Sequence, residues 1–293
     1  MAARISHITT MSSNPTNVGT MYETIFGLTF DTSPKQVNYG EVLTDGAVNL
    51  NLHRRLPGHR LGLHHFGIEV DDVEAVFDTL KSKYPSTSWI NRPPNCPYAG
   101  YLSYDPAGNI FALSEKSSAN GGATNISTKR PKSTNFESWS KADPAGRYLH
   151  HYAIRTRKFD ECAQFYEDVF GFQRSGGEGD DPNQYLSDGH MTLMLIPWSI
   201  LDYSDIGVTG RGPDHIGFKV EDSAVVEMEI EKFCSHYAPS RAPLWLLNTV
   251  TEGSVESQNM SALLDSTCPM SSFQFTDMDG VFVVIGDKTF SDM

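Results

Sequence analysis

The chain has 293 residues, of which 39% are hydrophobic, and its formal net charge is −13 at pH 7. This length predicts about two domains, and the acidic balance argues against nucleic acid or an anionic membrane surface as a partner. No apolar run reaches the roughly 18 residues of a membrane span, and the N-terminus lacks a signal-peptide pattern, so we expect a cytoplasmic protein. The four cysteines form no CxxC pair, which fits scattered reduced thiols better than a disulfide framework.

The predicted elements of the first hundred residues form two similar units. His7 opens a strand, which is followed by a helix and by strands running to Leu52. His65 opens a second unit that ends near Ser114. Its helix, around DDVEAVFDTLKSKY, has acidic residues near the start, lysines near the end and apolar residues at helical spacing. Because the strands alternate with a period of two, each unit is predicted to be a βαβββ module.

The second half of the chain repeats the first half. The segment ISHITTMSSNPTNVGTMYETIFGL (5–28) aligns with LHHYAIRTRKFDECAQFYEDVFGF (149–172) at an offset of 144 residues. Three further pairs of segments follow in the same order, at offsets of 143, 150 and 172 residues. Since the order is kept and the offset grows through insertions, the chain contains a duplicated domain. The predicted fold is therefore α+β, with four βαβββ modules paired into two tandem domains that have curved mixed sheets.

Two irregular segments interrupt this repeat. Residues 117–146 are rich in Ser, Asn, Gly and Lys and have little periodicity, which predicts a linker between a first domain (1–116) and a second domain (147–293). Residues 248–271 lie inside the last module and are either a lid over a site or a simple insertion.

Several segments resemble the vicinal oxygen chelate superfamily, which includes glyoxalase I, extradiol dioxygenases, methylmalonyl-CoA epimerase and the fosfomycin- and bleomycin-resistance proteins. These segments are SHITT with MYETIFGL, HHFGIEVDD, DPAGNIFAL, HHYAIRT with FYEDVFGF, and DHIGFKVED. The resemblance implies glyoxalase-like domains, in each of which a pair of modules curls into a cup around a divalent metal ion. It is specific for the fold and leaves the reaction open, since this fold supports many chemistries.

The resemblance also implies where metal ligands would stand. In the first domain these positions hold His7, Asn51 (less certainly Asn49), His65 and Ala112. In the second domain they hold His151, Met194, His215 and Val284. The family usually has a carboxylate at the positions of Ala112 and Val284, so both cups lack it. The implied metal ligands are therefore His7, His65 and Asn51 in the first domain, and His151 with His215, on weaker grounds, in the second.

The missing carboxylate leaves two alternatives open. A catalytic zinc usually has three protein ligands and an open position, and a non-haem iron oxygenase has two histidines and one carboxylate, so two imidazoles alone form a weak site. A chelating substrate could supply further oxygens, and Ala112 would leave room for it. The ion would be Fe, Mn, Zn or Ni. In the other alternative, His7 and His65 are polar wall residues inherited from a metal-binding ancestor.

The predicted substrate-binding residues lie in the first domain. In VNLNLH, the polar face carries Asn49 and Asn51 and should line the cup, whereas the matching TLMLIP segment of the second domain is more apolar. In WINRPPNCPYAGYLSYDP, Arg92, Tyr98 and Tyr101 could stand at the mouth of the cup, where tyrosines suit a small oxygenated ligand. A solvated sheet face and ordinary packing are the alternative interpretations.

Two hypotheses of function follow from the sequence. The first is a divalent-metal-assisted lyase, epimerase or dioxygenase that acts on a small oxygenated molecule in the first-domain cup. The second is a metal-free protein that binds a small molecule, like the resistance proteins of the superfamily. By comparison with extradiol dioxygenases, Gln274 takes the place of the active-site tyrosine and Val284 that of the metal glutamate, which argues against ring cleavage in the second domain. That domain could instead serve packing or dimerisation, so a homodimer is left open.

Overall fold

The computed structural model describes residues 3–31, 40–92, 100–116, 146–176, 181–198, 211–237, 268 and 271–287. The first half contains β1 (Ala3–Ser12), α1 (Pro15–Phe26), β2 (Thr29–Phe30), β3 (Gly40–Thr44), β4 (Asn49–Arg54), β5 (Gly62–Val70), α2 (Val73–Lys83), β6 (Ile90–Asn91), β7 (Tyr101–Tyr104) and β8 (Ile110–Glu115). The second half contains β9 (Tyr148–Thr156), α3 (Phe159–Phe170), β10 (Gln173–Gly176), β11 (Gln184–Ser187), β12 (Thr192–Pro197), β13 (Gly212–Lys219), α4 (Ser223–Tyr237), β14 (Phe273–Thr276) and β15 (Phe282–Gly286).

These strands form two mixed sheets, one in each half of the chain. The first has the order β2-β3-β4-β1-β5-β8-β7-β6, and the second has the order β10-β11-β12-β9-β13-β15-β14. In both, the central pair is antiparallel and consists of the opening strands of the two modules, β1 with β5 and β9 with β13. Each opening strand also pairs in parallel with the last strand of its own module, β1 with β4, β5 with β8, β9 with β12 and β13 with β15. The predicted α+β fold of tandem, paired modules is confirmed.

The first helices of the two halves end in the same way. α1 begins after Asn14, whose side chain accepts a hydrogen bond from the backbone N–H of Asn17. It ends at Gly27, and α3 ends at Gly171, with φ of 68° and 70° respectively. This left-handed conformation favours glycine, which explains why the Phe-Gly pair recurs in the repeat.

The two halves share one hydrophobic core on the helix side of the sheets. The ring of Phe26 in α1 stacks on Phe218 of the second sheet, with centroids 4.0 Å apart. Phe66 of the first sheet contacts Tyr152 of the second, with centroids 5.1 Å apart. The opposite side of each sheet, turned away from this core, is called the cup face below.

Several predictions fall outside the described residues or remain untested. The linker 117–146 is described only at its last residue, and the 248–271 segment only at residues 268 and 271. The domain boundaries therefore stay predictions. Across the described ranges, the helices are too short or too polar to cross a bilayer.

Candidate functional site

Strand register determines which side chains lie on the cup face of the first domain. His7 in β1 stands opposite Asn49 in β4 and Gly67 in β5, and Gly67 in turn stands opposite Ala112 in β8. Residues directly opposite in a sheet share a face. Their sequence neighbours, such as Ile8, belong to the core. The predicted cup positions of the first domain are therefore brought onto one face.

His7 and His65 lie edge to face in this cup. Their ring centroids are 5.8 Å apart, and both side chains are buried. The His7 ring occupies the space above Gly67, because a Cβ on that glycine would come within 1.9 Å of the His7 Cε1 atom. Glycine in the HHFG segment thus makes room for the imidazole of the neighbouring strand.

Both imidazoles of the first-domain cup are neutral at pH 7. Burial lowers the pKa of His7 to about 3, and nearby His53 and Arg92 act in the same direction. Burial also holds the pKa of His65 well below its usual value, with further contributions from His7, His64, His53 and Arg92. Neutral imidazole is the form that binds a metal ion.

The predicted substrate-binding residues of the first domain are only partly brought together. Asn49 and Asn51 are buried on the cup face of β4. The Nδ2 atom of Asn51 lies 3.5 Å from Thr9 Oγ1, and its Oδ1 atom has no hydrogen-bond partner among the described residues. Arg92 is half-buried, and its charge contributes to the lowered pKa values of the cup histidines.

Of the two predicted tyrosines, Tyr101 does not join this group. Tyr101 stands opposite Leu113 and packs its ring against Phe77 of α2, with centroids 5.0 Å apart. It therefore faces the helices, because the register of β7 against β8 places Leu102, opposite Ala112, on the cup face instead. Tyr98 lies outside the described residues.

The second-domain cup brings three metal-binding side chains together. The Nε2 atoms of His151 and His215 are 3.1 Å apart, and the Sγ atom of Cys268 is 3.7 Å from His215 Nε2. The three ligand atoms all lie within 4.8 Å of one another, and all three residues are buried. Among the described residues, this is the only group of three or more His, Cys, Asp or Glu side chains with such a geometry.

Each histidine of this group is positioned by a neighbouring residue. The His151 ring lies over Gly217, where a Cβ would come within 1.9 Å of Cε1, so it repeats the arrangement of His7 and Gly67. Burial, then His215 and His150, hold the pKa of His151 well below its usual value. Asp214 fixes the orientation of the His215 ring, because a carboxylate oxygen of Asp214 lies 2.6 Å from His215 Nδ1, the nitrogen that does not face His151.

Asp214 is ionised and joins His215 to a buried arginine. Burial would raise the pKa of Asp214, but the charge of Arg155 and the hydrogen bond with His215 hold it below its usual value. Arg155 donates from Nε to the other carboxylate oxygen. An ionised carboxylate accepts the Nδ1 proton of His215, which leaves the lone pair of Nε2 directed at Cys268 and His151.

The rest of the second-domain cup is mainly apolar. Cys268 packs with Met194 and Val284, which stand at the two remaining ligand positions implied by the resemblance and offer no oxygen. Gln274 is opposite Val284 in the register of β14 and β15, and its buried Oε1 atom has no hydrogen-bond partner among the described residues. A polar acceptor therefore stands in an otherwise apolar wall.

Sequence reasoning missed Cys268. It belongs to the irregular 248–271 segment, where no strand or helix pattern indicates the direction of a side chain. The only available signal was a cysteine five residues before the strand that opens at Phe273. The expectation that the first-domain cup is the better metal site also differs from the geometry. In the first cup two imidazoles lie edge to face and Asn51 lies on the same sheet face, whereas a histidine pair and a thiol converge in the second domain.

Comparisons with known proteins agree with this architecture. Residues 148–238 match the family model described as Glyoxalase/Bleomycin resistance protein/Dioxygenase superfamily. A search of curated proteins gives no significant sequence match. The 2,3-dioxygenase LapB from Pseudomonas sp. KL28 has a similar structure, with a TM-score of 0.57, 13% identity and coverage of 98% of this chain and 92% of that chain.

Two other dioxygenases show the same likeness. A catechol 2,3-dioxygenase has a TM-score of 0.55 and 12% identity, with 96% of this chain and 86% of that chain covered. A variant of homoprotocatechuate 2,3-dioxygenase from B. fuscum has a TM-score of 0.55 and 14% identity, with 98% of this chain and 71% of that chain covered. Residues 148–238 thus match the model of this superfamily, and the tandem-domain fold of the chain is similar to that of these two-domain dioxygenases. At such low identity the structural likeness leaves the reaction open.

Proposed function

We propose that this protein is a divalent-metal-assisted enzyme whose reaction takes place in the second-domain cup. The observation that supports this most strongly is the convergence of His151, His215 and Cys268 on one buried point. Two imidazoles beside a third polar group can hold a divalent ion and leave coordination positions open for a substrate, as a catalytic metal site requires. The proposal keeps the metal-assisted chemistry expected from the sequence and moves it from the first cup to the second.

The residues around the point of convergence would have different roles in binding the ion and the substrate. His151 and His215 would hold the ion, and Asp214 keeps His215 in the required tautomer. The bound ion would polarise a carbonyl or enolate oxygen of the substrate. Met194 and Val284 form a dry wall that suits an apolar substrate body. The carbonyl oxygen of Gln274, which has no hydrogen-bond partner in the described part of the chain, can accept a hydrogen bond from a substrate hydroxyl.

These features favour a small molecule with an apolar or aromatic body and one or two adjacent oxygens. The structurally similar proteins act on catechol-type compounds according to their names, and such compounds have this combination of features. Lyase, epimerase and dioxygenase reactions of this kind all place an oxygen atom of the substrate near the metal. The proposed substrate class is therefore compatible with each of these three reactions.

The first-domain cup supports a second candidate function, the metal-free binding of a small molecule. The carbonyl oxygen of Asn51 is buried without a hydrogen-bond partner among the described residues, and Arg92 stands close enough to lower the pKa of His7 and His65. A hydroxylated organic anion would suit this cup, because its charge would be attracted to Arg92 and the carbonyl oxygen of Asn51 would accept a hydrogen bond from its hydroxyl.

Metal analysis of matched double variants tests the proposal. Protein purified without chelators should contain about one divalent ion per chain. H151A/H215A should lose this ion together with any conversion of aromatic diols or small carbonyl compounds, whereas H7A/H65A should retain both. Metal that survives in H151A/H215A and disappears from H7A/H65A would place the site in the first cup. Wild-type protein that binds no added divalent ion would leave only the metal-free candidate.

A further inference from the structure

In the second-domain site, the third side chain beside the two histidines is a thiol, Cys268, and not an oxygen-bearing group. Cys268 approaches the histidine pair from outside the sheet, whereas the sheet positions beside the pair hold Met194 and Val284. We propose that the Cys268 thiolate is a direct metal ligand, so that the cup is a His2Cys site for a thiophilic ion such as zinc. This inference rests on the proposed function and specifies the ion and the kind of chemistry at the same site.

Two of the three distances between the donor atoms are close to those of tetrahedral coordination, and the third is under 4.8 Å. With Zn–N bonds of about 2.05 Å and a Zn–S bond of about 2.3 Å, tetrahedral angles place two nitrogens about 3.3 Å apart and a nitrogen and a sulfur about 3.6 Å apart. The observed separations are 3.1 Å between His151 Nε2 and His215 Nε2, and 3.7 Å between His215 Nε2 and Cys268 Sγ. A small movement of the imidazoles would therefore let all three atoms contact one ion.

The surroundings of Cys268 also favour a ligand role. The thiol is buried in a mainly apolar cluster with Ala153, Tyr185, Met194, Ile196 and Val284, and its Sγ atom lies 3.7 Å from His215 Nε2. A thiolate in such an apolar wall needs a positive partner, and a divalent ion would supply one. Because both histidines enter as neutral ligands, the thiolate would be the one anionic ligand of the site.

The ligand set selects the kind of ion and, through it, the kind of reaction. Thiolate and imidazole ligands favour zinc and similar thiophilic ions, whereas two histidines with a carboxylate are typical of non-haem iron(II) oxygenases. Zinc has no redox chemistry and acts as a Lewis acid. Within the proposed function, the site is therefore assigned to a non-oxidative reaction of the lyase or isomerase class.

Cobalt(II) binding tests the thiolate directly, because a cobalt–thiolate bond gives an intense near-ultraviolet charge-transfer band that cobalt bound by nitrogen or oxygen alone lacks. Wild-type protein titrated with cobalt(II) should show this band and the strong visible absorption of tetrahedral cobalt. C268S and C268A should lose the charge-transfer band. C234S is the matched control, since Cys234 is a half-buried thiol on α4 of the same domain, and it should retain the band.

Zinc affinity provides a second readout on the same proteins. Loss of a group that only orients a metal ligand typically lowers metal affinity by about 10- to 100-fold. Competition with a chromophoric chelator should show that C268S loses at least this much zinc affinity. C268D should reduce the preference for zinc over manganese(II), because a carboxylate replaces the thiolate. Circular dichroism of each metal-free variant checks that it is folded.

The outcomes separate this inference from the proposed function. Cobalt that binds to wild-type protein without a charge-transfer band would overturn the thiolate ligand and leave the metal-assisted enzyme standing. A charge-transfer band that persists in both C268S and C268A would also overturn it. Absence of any cobalt or zinc binding by wild-type protein would overturn both, and would leave the 3.1 Å contact between His151 and His215 as an ordinary imidazole hydrogen bond.

Discussion

The hydroxyl of Tyr22 in α1 donates a hydrogen bond to the carboxylate of Asp277, 3.0 Å away in the turn before β15 of the other domain. The second half repeats this contact in reverse, because Tyr166 in α3 donates to Asp105, in the turn before β8, over 3.2 Å. All four residues are buried. In each half, the first helix is thus hydrogen-bonded to a turn of the other half that has the sequence DxxG (105–108 or 277–280). The duplicated motifs therefore form a reciprocal interface between the two halves.

Replacing either tyrosine by phenylalanine should destabilise the protein without affecting the metal. Y22F removes one donor from a buried carboxylate, and we expect the free energy of unfolding to fall by about 1–3 kcal/mol. Y166F should have a similar effect. Urea unfolding of the metal-free proteins measures both. Equal stability of Y22F, Y166F and wild type would show that these contacts do not fasten the two halves together.

Much of this fold could be predicted from the sequence because it depends on periodic features. Two of these features are local in the sequence: the alternation in strands such as the one opened by His7, and the Phe-Gly pair at Gly27 and Gly171. Because the chain is duplicated, each feature occurs in both halves. The register that places His7 opposite Asn49 follows from which face of each strand is apolar. These patterns are visible in the sequence because burial of one sheet face requires an apolar residue at every second position of a strand.

The candidate site could be predicted only where it lies on the sheet. The family resemblance indicates His151 and His215 because they stand on strands that repeat recognisable motifs. Cys268 belongs to a segment without periodicity, so nothing in its sequence neighbours indicates where its side chain points. Tyr101 was expected near the cup mouth but faces α2, because its register against Leu113 decides its direction. Contacts between distant segments are set by tertiary packing, which a single sequence does not show.

The stability of the protein should depend on pH through Asp277. Burial raises the pKa of Asp277 from 3.8 to about 6. The folded protein therefore binds this proton more tightly than the unfolded chain, so the contribution to stability is greatest below pH 4 and is lost as the pH rises through 6. D277N lacks this titration. Relative to wild type, its free energy of unfolding should rise by up to about 3 kcal/mol between pH 4 and pH 7.

Unfolding by urea at several pH values measures this difference. A further comparison at about pH 2.5 serves as the internal control, because there Asp277 is protonated in both the folded and the unfolded chain. The difference that remains at this pH reports the geometry of the amide. A difference between D277N and wild type that stays constant from pH 4 to pH 7 would contradict the raised pKa of Asp277.

Adding one methyl group under a metal-binding histidine should disrupt the second-domain site. G217A places a Cβ within 1.9 Å of the present position of His151 Cε1, so the imidazole must leave the position in which its Nε2 atom contacts His215. We expect zinc affinity to fall by about tenfold or more. G67A makes the same change under His7 in the first cup and should leave zinc affinity unchanged. If G67A weakened zinc binding and G217A did not, the two cups would have the opposite roles.

Asp214 should act as a positioning residue for His215. In D214N a neutral amide replaces the carboxylate that receives hydrogen bonds from both His215 and Arg155. We expect zinc affinity to fall by about 10- to 100-fold, and the loss of a buried ion-pair partner should lower the free energy of unfolding by about 3–5 kcal/mol. Competition titrations of the folded variant separate the two effects. Unchanged zinc affinity in D214N would show that the tautomer of His215 does not depend on Asp214.

The most direct test of the central claim is anomalous diffraction from crystals of the zinc-loaded protein at the zinc absorption edge. The structure predicts one strong anomalous peak per chain in the second-domain cup, about 2.1 Å from the Nε2 atoms of His151 and His215 and about 2.3 Å from the sulfur of Cys268. A peak between His7 and His65 instead, or none in either cup, would contradict it.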